Sequence, residues 1–138
     1  MKIIFVCTGN TCRSPLAEAI AKNLKPNFDI QSRGISAFEG ANISQQSLEI
    51  ILEHDLPVPG RAQNFSEQDL DADLILTMTE SHKLMLQSEY QHENIDSIKH
   101  YLSGEQGDVC DPYGQSIEVY RNTFKELNEL IEELLQSN

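Results

Sequence analysis

The chain has 138 residues, 22 acidic against 10 basic, with a formal net charge of −12 and a pI near 4.6. Such a charge disfavours non-specific attraction to nucleic acid or to an anionic membrane, so an anionic substrate would need a local cationic device. An apolar fraction of 39% with 5 Phe and 4 Tyr excludes wholesale disorder and suits a single domain over 1–138, whose folding buries roughly 68% of its unfolded surface.

Strand and helix signals alternate along the chain. Lys2–Cys7 is a short apolar, β-branched run of the kind that becomes a buried parallel strand. Ser14–Leu24 reads as a helix with Pro15 in its first turn and Leu16, Ala19 and Ile20 on one face. Phe28–Arg33 is a second strand, ended by Gly34. Ser44–His54 is a helix whose inner face is expected to be Leu48, Ile51 and Leu52. Asp55–Asn64, with two prolines and a glycine, is a connection, followed by a short helical turn at Ser66–Leu70. Asp73–Met78 predicts a third strand and Thr79–Tyr90 a helix, and Ile95–Tyr101 contains a fourth, weaker strand. Ser103–Gln115, with three Gly and one Pro, is a loop long enough to be functional. Ser116–Leu135 closes the chain as a helix, with Ile117, Tyr120, Phe124, Leu127, Ile131 and Leu134 three or four apart.

This alternation implies an α/β fold: a parallel sheet joined by right-handed crossovers and covered by helices on both faces. Ligands in such sheets bind at the carboxyl ends of the strands, which directs attention to the segments after Val6 and Met78 and to the loop near Asp111. The apolar runs are too short to span a membrane or to serve as a signal peptide. Three cysteines, Cys7, Cys12 and Cys110, suit the reducing cytoplasm better than a secreted disulfide scaffold, and their spacing matches no metal site. The four histidines, 54, 82, 92 and 100, fall on polar faces or in loops and are expected to be solvated. The acid-rich last helix reads as a solvated face with apolar ridges.

Between the first strand and the first helix lies Cys7-Thr8-Gly9-Asn10-Thr11-Cys12-Arg13-Ser14-Pro15. Cys7 alone would read as a small buried apolar residue. A thiol at a strand end facing a helix N-terminus, however, gains positive surroundings from the helix dipole and unpaired N–H groups, and Arg13 adds a permanent cation. Those surroundings favour a thiolate nucleophile. The intervening backbone N–H groups can form a concave nest for a tetrahedral oxyanion, and the Arg13 fork can grip two of its oxygens. Ser14 is placed to give the thiolate a hydrogen bond and to help it leave.

These residues resemble the low-molecular-weight protein phosphatases, whose motif is Cys, five residues, Arg and Ser/Thr near the N-terminus with a late Asp-Pro loop. Here those are Cys7–Ser14 and Asp111-Pro112-Tyr113, and the resemblance runs the whole length, including Ser32-Arg33-Gly34 and Ala72–Met78. It implies a doubly wound four-stranded parallel sheet and hydrolysis through a phosphocysteine with no metal or other cofactor. By that resemblance Cys7 is the nucleophile and Arg13 with the loop Thr8–Ser14 holds the phosphate. Asp111 is the general acid and then the base, and Asn10 shapes the loop through backbone hydrogen bonds. Many relatives carry a His near Arg61-Ala62-Gln63; this chain has none there, so any loop-bracing role of that His does not transfer. Cys12 has two readings: a residue packed beneath the loop, or a redox partner pairing with Cys7 on oxidation. Cys110 is incidental.

Thr11 and Tyr113 are the selectivity positions. Thr at position 11, with Gly107-Asp108-Val109 and Asp111-Pro112-Tyr113-Gly114, resembles the bacterial protein-arginine phosphatases. Tyrosine-specific members place a bulky apolar residue at the first position and often two adjacent aromatics in the acid loop. The expectation is therefore a phosphatase acting on phosphorylated proteins, with phosphoarginine ahead of phosphotyrosine, a monomer by default and with no nucleic-acid or membrane partner. An arsenate reductase would need more thiols than Cys110 supplies. A phosphocysteine carrier would need neither Arg13 nor an acid loop, and a non-catalytic phosphate-binding module would not turn over an aryl phosphate.

Overall fold

The computed structural model describes residues 1–136. In chain order they form β1 (Lys2–Cys7), α1 (Arg13–Leu24), β2 (Asp29–Gly34), α2 (Gln45–Glu53), a 3₁₀ turn (Glu67–Asp71), β3 (Leu74–Thr77), α3 (Glu80–Glu89), β4 (Ile95–Ser97), α4 (Ile98–Ser103) and α5 (Ile117–Gln136). The four strands pair in parallel in the order β2-β1-β3-β4. Both faces are covered, as the alternation implies. The alternating side chains of β1 divide the core. Ile3, Phe5 and Cys7 face α1 and α5, while Ile4 and Val6 face the layer of Phe65, Ala72 and Leu86. Every residue from Ile3 to Cys7 is buried, which explains an unbroken apolar run where a half-exposed strand would alternate.

The chain leaves β1 toward β2 and leaves β3 toward β4, so the crevice between the ends of β1 and β3 is the switch point of the sheet. The segments opening there are Thr8–Cys12 and Met78–Thr79. Among the described residues no helix is long and apolar enough to cross a membrane.

The fourth strand, expected within Ile95–Tyr101, is Ile95–Ser97; Ile98–Ser103 is helical, because Ser97 Oγ caps it by accepting from His100 N–H and Gly104, at φ 77°, closes it in the left-handed region. The buried face of α2 is Ser47, Ile50 and Ile51, with Leu48 half-buried and Leu52 58% exposed. The helix is rotated so that Ser47 faces inward, where its Oγ donates to Cys12 O at 3.4 Å. A polar residue in that position hides the true face from a count of apolar spacings. In α5 the expected ridge is seated on the core, with Tyr120, Leu127, Ile131 and Leu134 buried and Ile117 and Phe124 packed against them.

Candidate active site

The loop from Cys7 to Arg13 is held from outside by its carbonyl groups. Cys7 O accepts from Ile35 N–H (2.9 Å), Thr8 O from Ser36 N–H (3.0 Å), Thr11 O from Ser44 N–H (2.9 Å) and Cys12 O from the Ser47 hydroxyl. In a trans peptide the N–H of the next residue points opposite to the carbonyl, so four outward carbonyls turn the N–H groups of Thr8, Gly9, Cys12 and Arg13 inward. Asn10 occupies the left-handed region at φ 56°, which Asn adopts more readily than most residues. Gly34 is required by proximity: a Cβ there would lie 2.7 Å from Thr8 O, so any larger residue would push β2 off the loop.

The start of α1 is left open. Ser44, Thr79 and Ser97 cap α2, α3 and α4 with side-chain oxygens, whereas Cys12 gives α1 no side-chain cap and no acidic residue lies in its first turn. Its unpaired N–H groups and uncompensated dipole therefore face the loop, an arrangement suited to an anion. Cys7, Thr8, Thr11, Cys12, Arg13, Asp111 and Tyr113 line a cavity of about 220 Å³ there. A second cleft, of about 290 Å³, lies beside Glu18, Lys22 and Arg33; it is lined by no cysteine, and there Lys22 pairs with Glu18 and Arg33 with Asp69.

Cys7 Sγ lies 2.9 Å from Ser14 Oγ. Behind it runs a buried polar chain: Asn10 Nδ2 donates to Ser14 Oγ (2.8 Å) and Ser32 Oγ (3.0 Å), and Ser32 Oγ donates to Glu18 Oε1 (2.6 Å). Asn10 Oδ1 accepts from Gln63 N–H at 2.9 Å, so the backbone of Gln63 meets the loop in the region where a relative's His is absent. Asn10 thus braces the loop through one backbone bond and, beyond the expected backbone bonding, through two hydroxyls.

Arg13 is buried, and its Nη1 donates to Val109 O at 2.9 Å. Its Nη2 stands 3.6 Å from Asp111 Oδ2, and Asp111 Oδ1 accepts from Tyr113 N–H at 3.1 Å. Arg13 therefore ties the Asp111 loop to the Cys7 loop and keeps further N–H groups for a ligand. Tyr113 is 74% exposed at the cavity mouth. Cys7 and Cys12 are both free thiols on the cavity; Cys12 Sγ also lies 3.4 Å from Tyr120 OH. Burial first, and then that contact, push the Tyr120 phenol up to about 12, keeping it a neutral hydroxyl. Cys110 is exposed.

Sequence reasoning missed Glu18 and Ser32, which complete the polar chain behind Cys7. Glu18 follows Ser14 by four residues on the same helix face, which is the signal that could have found it. Of the four histidines expected in solvent, His54 is exposed against Phe124, and His92 and His100 are half-buried beside Ala72 O and Asp96. His82, expected in solvent, is 6% exposed and its Nε2 lies 2.8 Å from Thr8 Oγ1. Burial first, then Arg13, push its imidazole down to about 4, against the pull of Asp108 and Asp111. The unfolded imidazole titrates near 6.5, so between pH 6.5 and 4 only the unfolded chain takes up this proton, and acidification favours unfolding. Across that interval the wild type should lose up to about 3 kcal/mol more stability than His82→Gln. Urea unfolding of both proteins at pH 7 and pH 4.5 checks this; parallel losses would show that His82 is not buried in its neutral form.

Residues 2–137 match the family model described as low molecular weight phosphotyrosine protein phosphatase. A relative from Staphylococcus haemolyticus, named low molecular weight protein-tyrosine-phosphatase PtpB, is 53% identical over 135 residues, covering 97% of each chain. The PtpB of Staphylococcus aureus is 47% identical over 131 residues, 95% of this chain and 94% of its own. A structure of YwlE arginine phosphatase, in a C7S form with a phosphorylated active-site serine, superposes with a TM-score of 0.94 at 35% identity, covering 99% of this chain and 95% of that one. These identities correct the expectation that the chain stands nearest the arginine phosphatases: the tyrosine-phosphatase relatives share far more of it. Thr11 in the Cys7–Ser14 loop, Gly107-Asp108-Val109 and Asp111-Pro112-Tyr113-Gly114 carried that expectation, and these short loop segments weigh little against agreement over 131 and 135 residues of core and loops. The chain belongs to the low molecular weight phosphotyrosine protein phosphatase family, a family of cysteine-dependent phosphatases.

Proposed function

We propose that the protein removes phosphate from phosphotyrosine in proteins, through a phosphocysteine formed on Cys7. The observation that carries the chemistry is a single cavity holding the Cys7 thiol, the open start of α1, the Arg13 guanidinium and the Asp111 carboxyl. The Cys7 thiolate attacks phosphorus in line, forming the S–P bond as the P–O bond to tyrosine breaks, and Asp111 protonates the departing oxygen. Inward N–H groups and Arg13 hold the three equatorial oxygens, whose charge must be stabilised throughout. Water then attacks phosphorus, Asp111 takes its proton, and the thiolate leaves with the Ser14 hydroxyl donating to it. The phosphorylated serine of the C7S YwlE form supports transfer to the side chain at this position. Phosphotyrosine is supported by the names of the staphylococcal relatives.

A second reading, phosphoarginine, is favoured by Thr11, whose side chain is on the cavity lining, and by the arginine-phosphatase structure of the same shape. Comparing kcat/KM on phosphotyrosine and phosphoarginine peptides decides between them, and preference for phosphoarginine would overturn the first reading. Thr11→Ile is expected to move the ratio toward phosphotyrosine, because it offers apolar surface to a phenyl ring and removes a hydroxyl that could bind a guanidinium. One lost hydrogen bond to a charged group is worth roughly 1.5–3 kcal/mol, an order of magnitude or more in the ratio. An unchanged ratio would mean that Thr11 does not read the leaving group.

A further inference from the structure

Thr8 follows β1 directly and His82 lies in the first turn of α3, so their contact bridges the two loops at the switch point of the sheet. The Nε2–Oγ1 distance is 2.8 Å across 74 residues of chain. The ring is carried on a fixed turn, where His82 N–H donates to Thr79 Oγ1 at 3.0 Å. The same turn reaches the acid loop: Glu80 N–H donates to Asp108 Oδ1 at 2.9 Å, and Val109 N–H donates to Met78 O at 2.8 Å. Nδ1 of the buried ring has no hydrogen-bond partner among the described residues. A leucine or methionine would fill this space without the penalty of burying an unpaired nitrogen. What an apolar residue could not supply is the bond to Thr8.

We propose that His82 is a positioning residue for the reaction: through Nε2 it fixes Thr8, and with it the inward N–H groups beside Cys7 that receive the phosphate oxygens. The proposal rests on reading the Cys7 loop as the phosphate site. Thr8 lies next to the nucleophile, so a free Thr8 side chain would loosen the first peptide units of the nest while leaving Arg13, Asp108 and the acid loop in place. Loss of His82 should therefore weaken binding of every phosphate-shaped species, whatever the leaving group. Loss of the proton donor would instead weigh most on poor leaving groups.

The test uses the full chain with His82→Ala, His82→Gln, Thr8→Val and the double variant His82→Ala/Thr8→Val, assayed with a series of aryl phosphates and with vanadate as inhibitor. In His82→Ala, kcat/KM should fall roughly tenfold, vanadate inhibition should weaken in parallel, and the dependence on leaving-group basicity should not change. His82→Gln, whose amide can reach Thr8, should recover most of the loss. Thr8→Val should fall by a similar factor, and the double variant should be no worse than either single one, since both remove the same bond. Wild-type rates in Thr8→Val, multiplicative losses in the double variant, or no recovery in a folded His82→Gln would each overturn the proposal. Thr8→Val and His82→Gln carry the test should His82→Ala fail to fold. An inactive wild type that also fails to bind vanadate would remove the reading of the loop itself, a result distinct from an active enzyme indifferent to His82.

Discussion

Cys7→Ser is expected to abolish turnover, with kcat falling on the order of 10⁴-fold or more, while phosphate and vanadate still bind. The substitution changes one atom at the end of β1 and leaves Arg13, the inward N–H groups and the brace through Asn10, Ser32 and Glu18 in place. The binding site for the anion therefore survives. A serine hydroxyl is a far weaker nucleophile than a thiolate. Any phosphoserine it forms must expel a much more basic oxygen, so the second half of the reaction stalls. Steady-state kinetics on p-nitrophenyl phosphate and calorimetry with vanadate check both halves. Residual activity within tenfold of wild type would remove Cys7 as the nucleophile, and loss of vanadate binding would show that the thiol also builds the anion site.

Asp111→Asn should lower kcat by about 10²–10⁴-fold, the usual contribution of a positioned proton donor. The amide is nearly isosteric and its oxygen can still accept from Tyr113 N–H, so loop geometry is not the variable. The ion pair with Arg13 is long at 3.6 Å, and the Asp111 side chain is 52% exposed, so its removal should cost little stability. The loss in kcat/KM, which reports only the steps up to phosphocysteine formation, should be small for p-nitrophenyl phosphate, whose phenolate leaves unaided, and large for phenyl phosphate and phosphotyrosine. In contrast, kcat should fall for all three, because Asp111 also serves the shared hydrolysis step. A variant with wild-type rates and the wild-type dependence on leaving group would assign the proton to another residue.

The Cys7–Ser14 loop is legible in the sequence because its parts are contiguous. Cys7, Arg13 and Ser14 lie between an apolar strand run and a helix start, and the strand–turn–helix geometry brings local residues together whatever the rest of the chain does. The alternation of apolar runs and amphipathic segments determined the layered α/β architecture for the same reason: burial of Ile3–Cys7 on both faces demands helices above and below. Short elements were less legible. Within the expected Ile95–Tyr101 segment the strand stops at Ser97, whose cap begins α4, and Gly104 ends that helix. The inward Ser47 is invisible to apolar periodicity. Only the tertiary structure decided what stands behind and beside the loop. Ser32 and Gln63 meet Asn10, and Ser32 also reaches Glu18, because β2 packs beside β1 with Gly34 against Thr8 O. His82 reads as solvated on a polar stretch of helix, yet the pairing of β3 with β1 sets α3 beside the phosphate loop and buries the ring on Thr8. Sequence spacing sees neighbours along the chain; contacts that cross 74 residues exist only once parallel strands have chosen their partners.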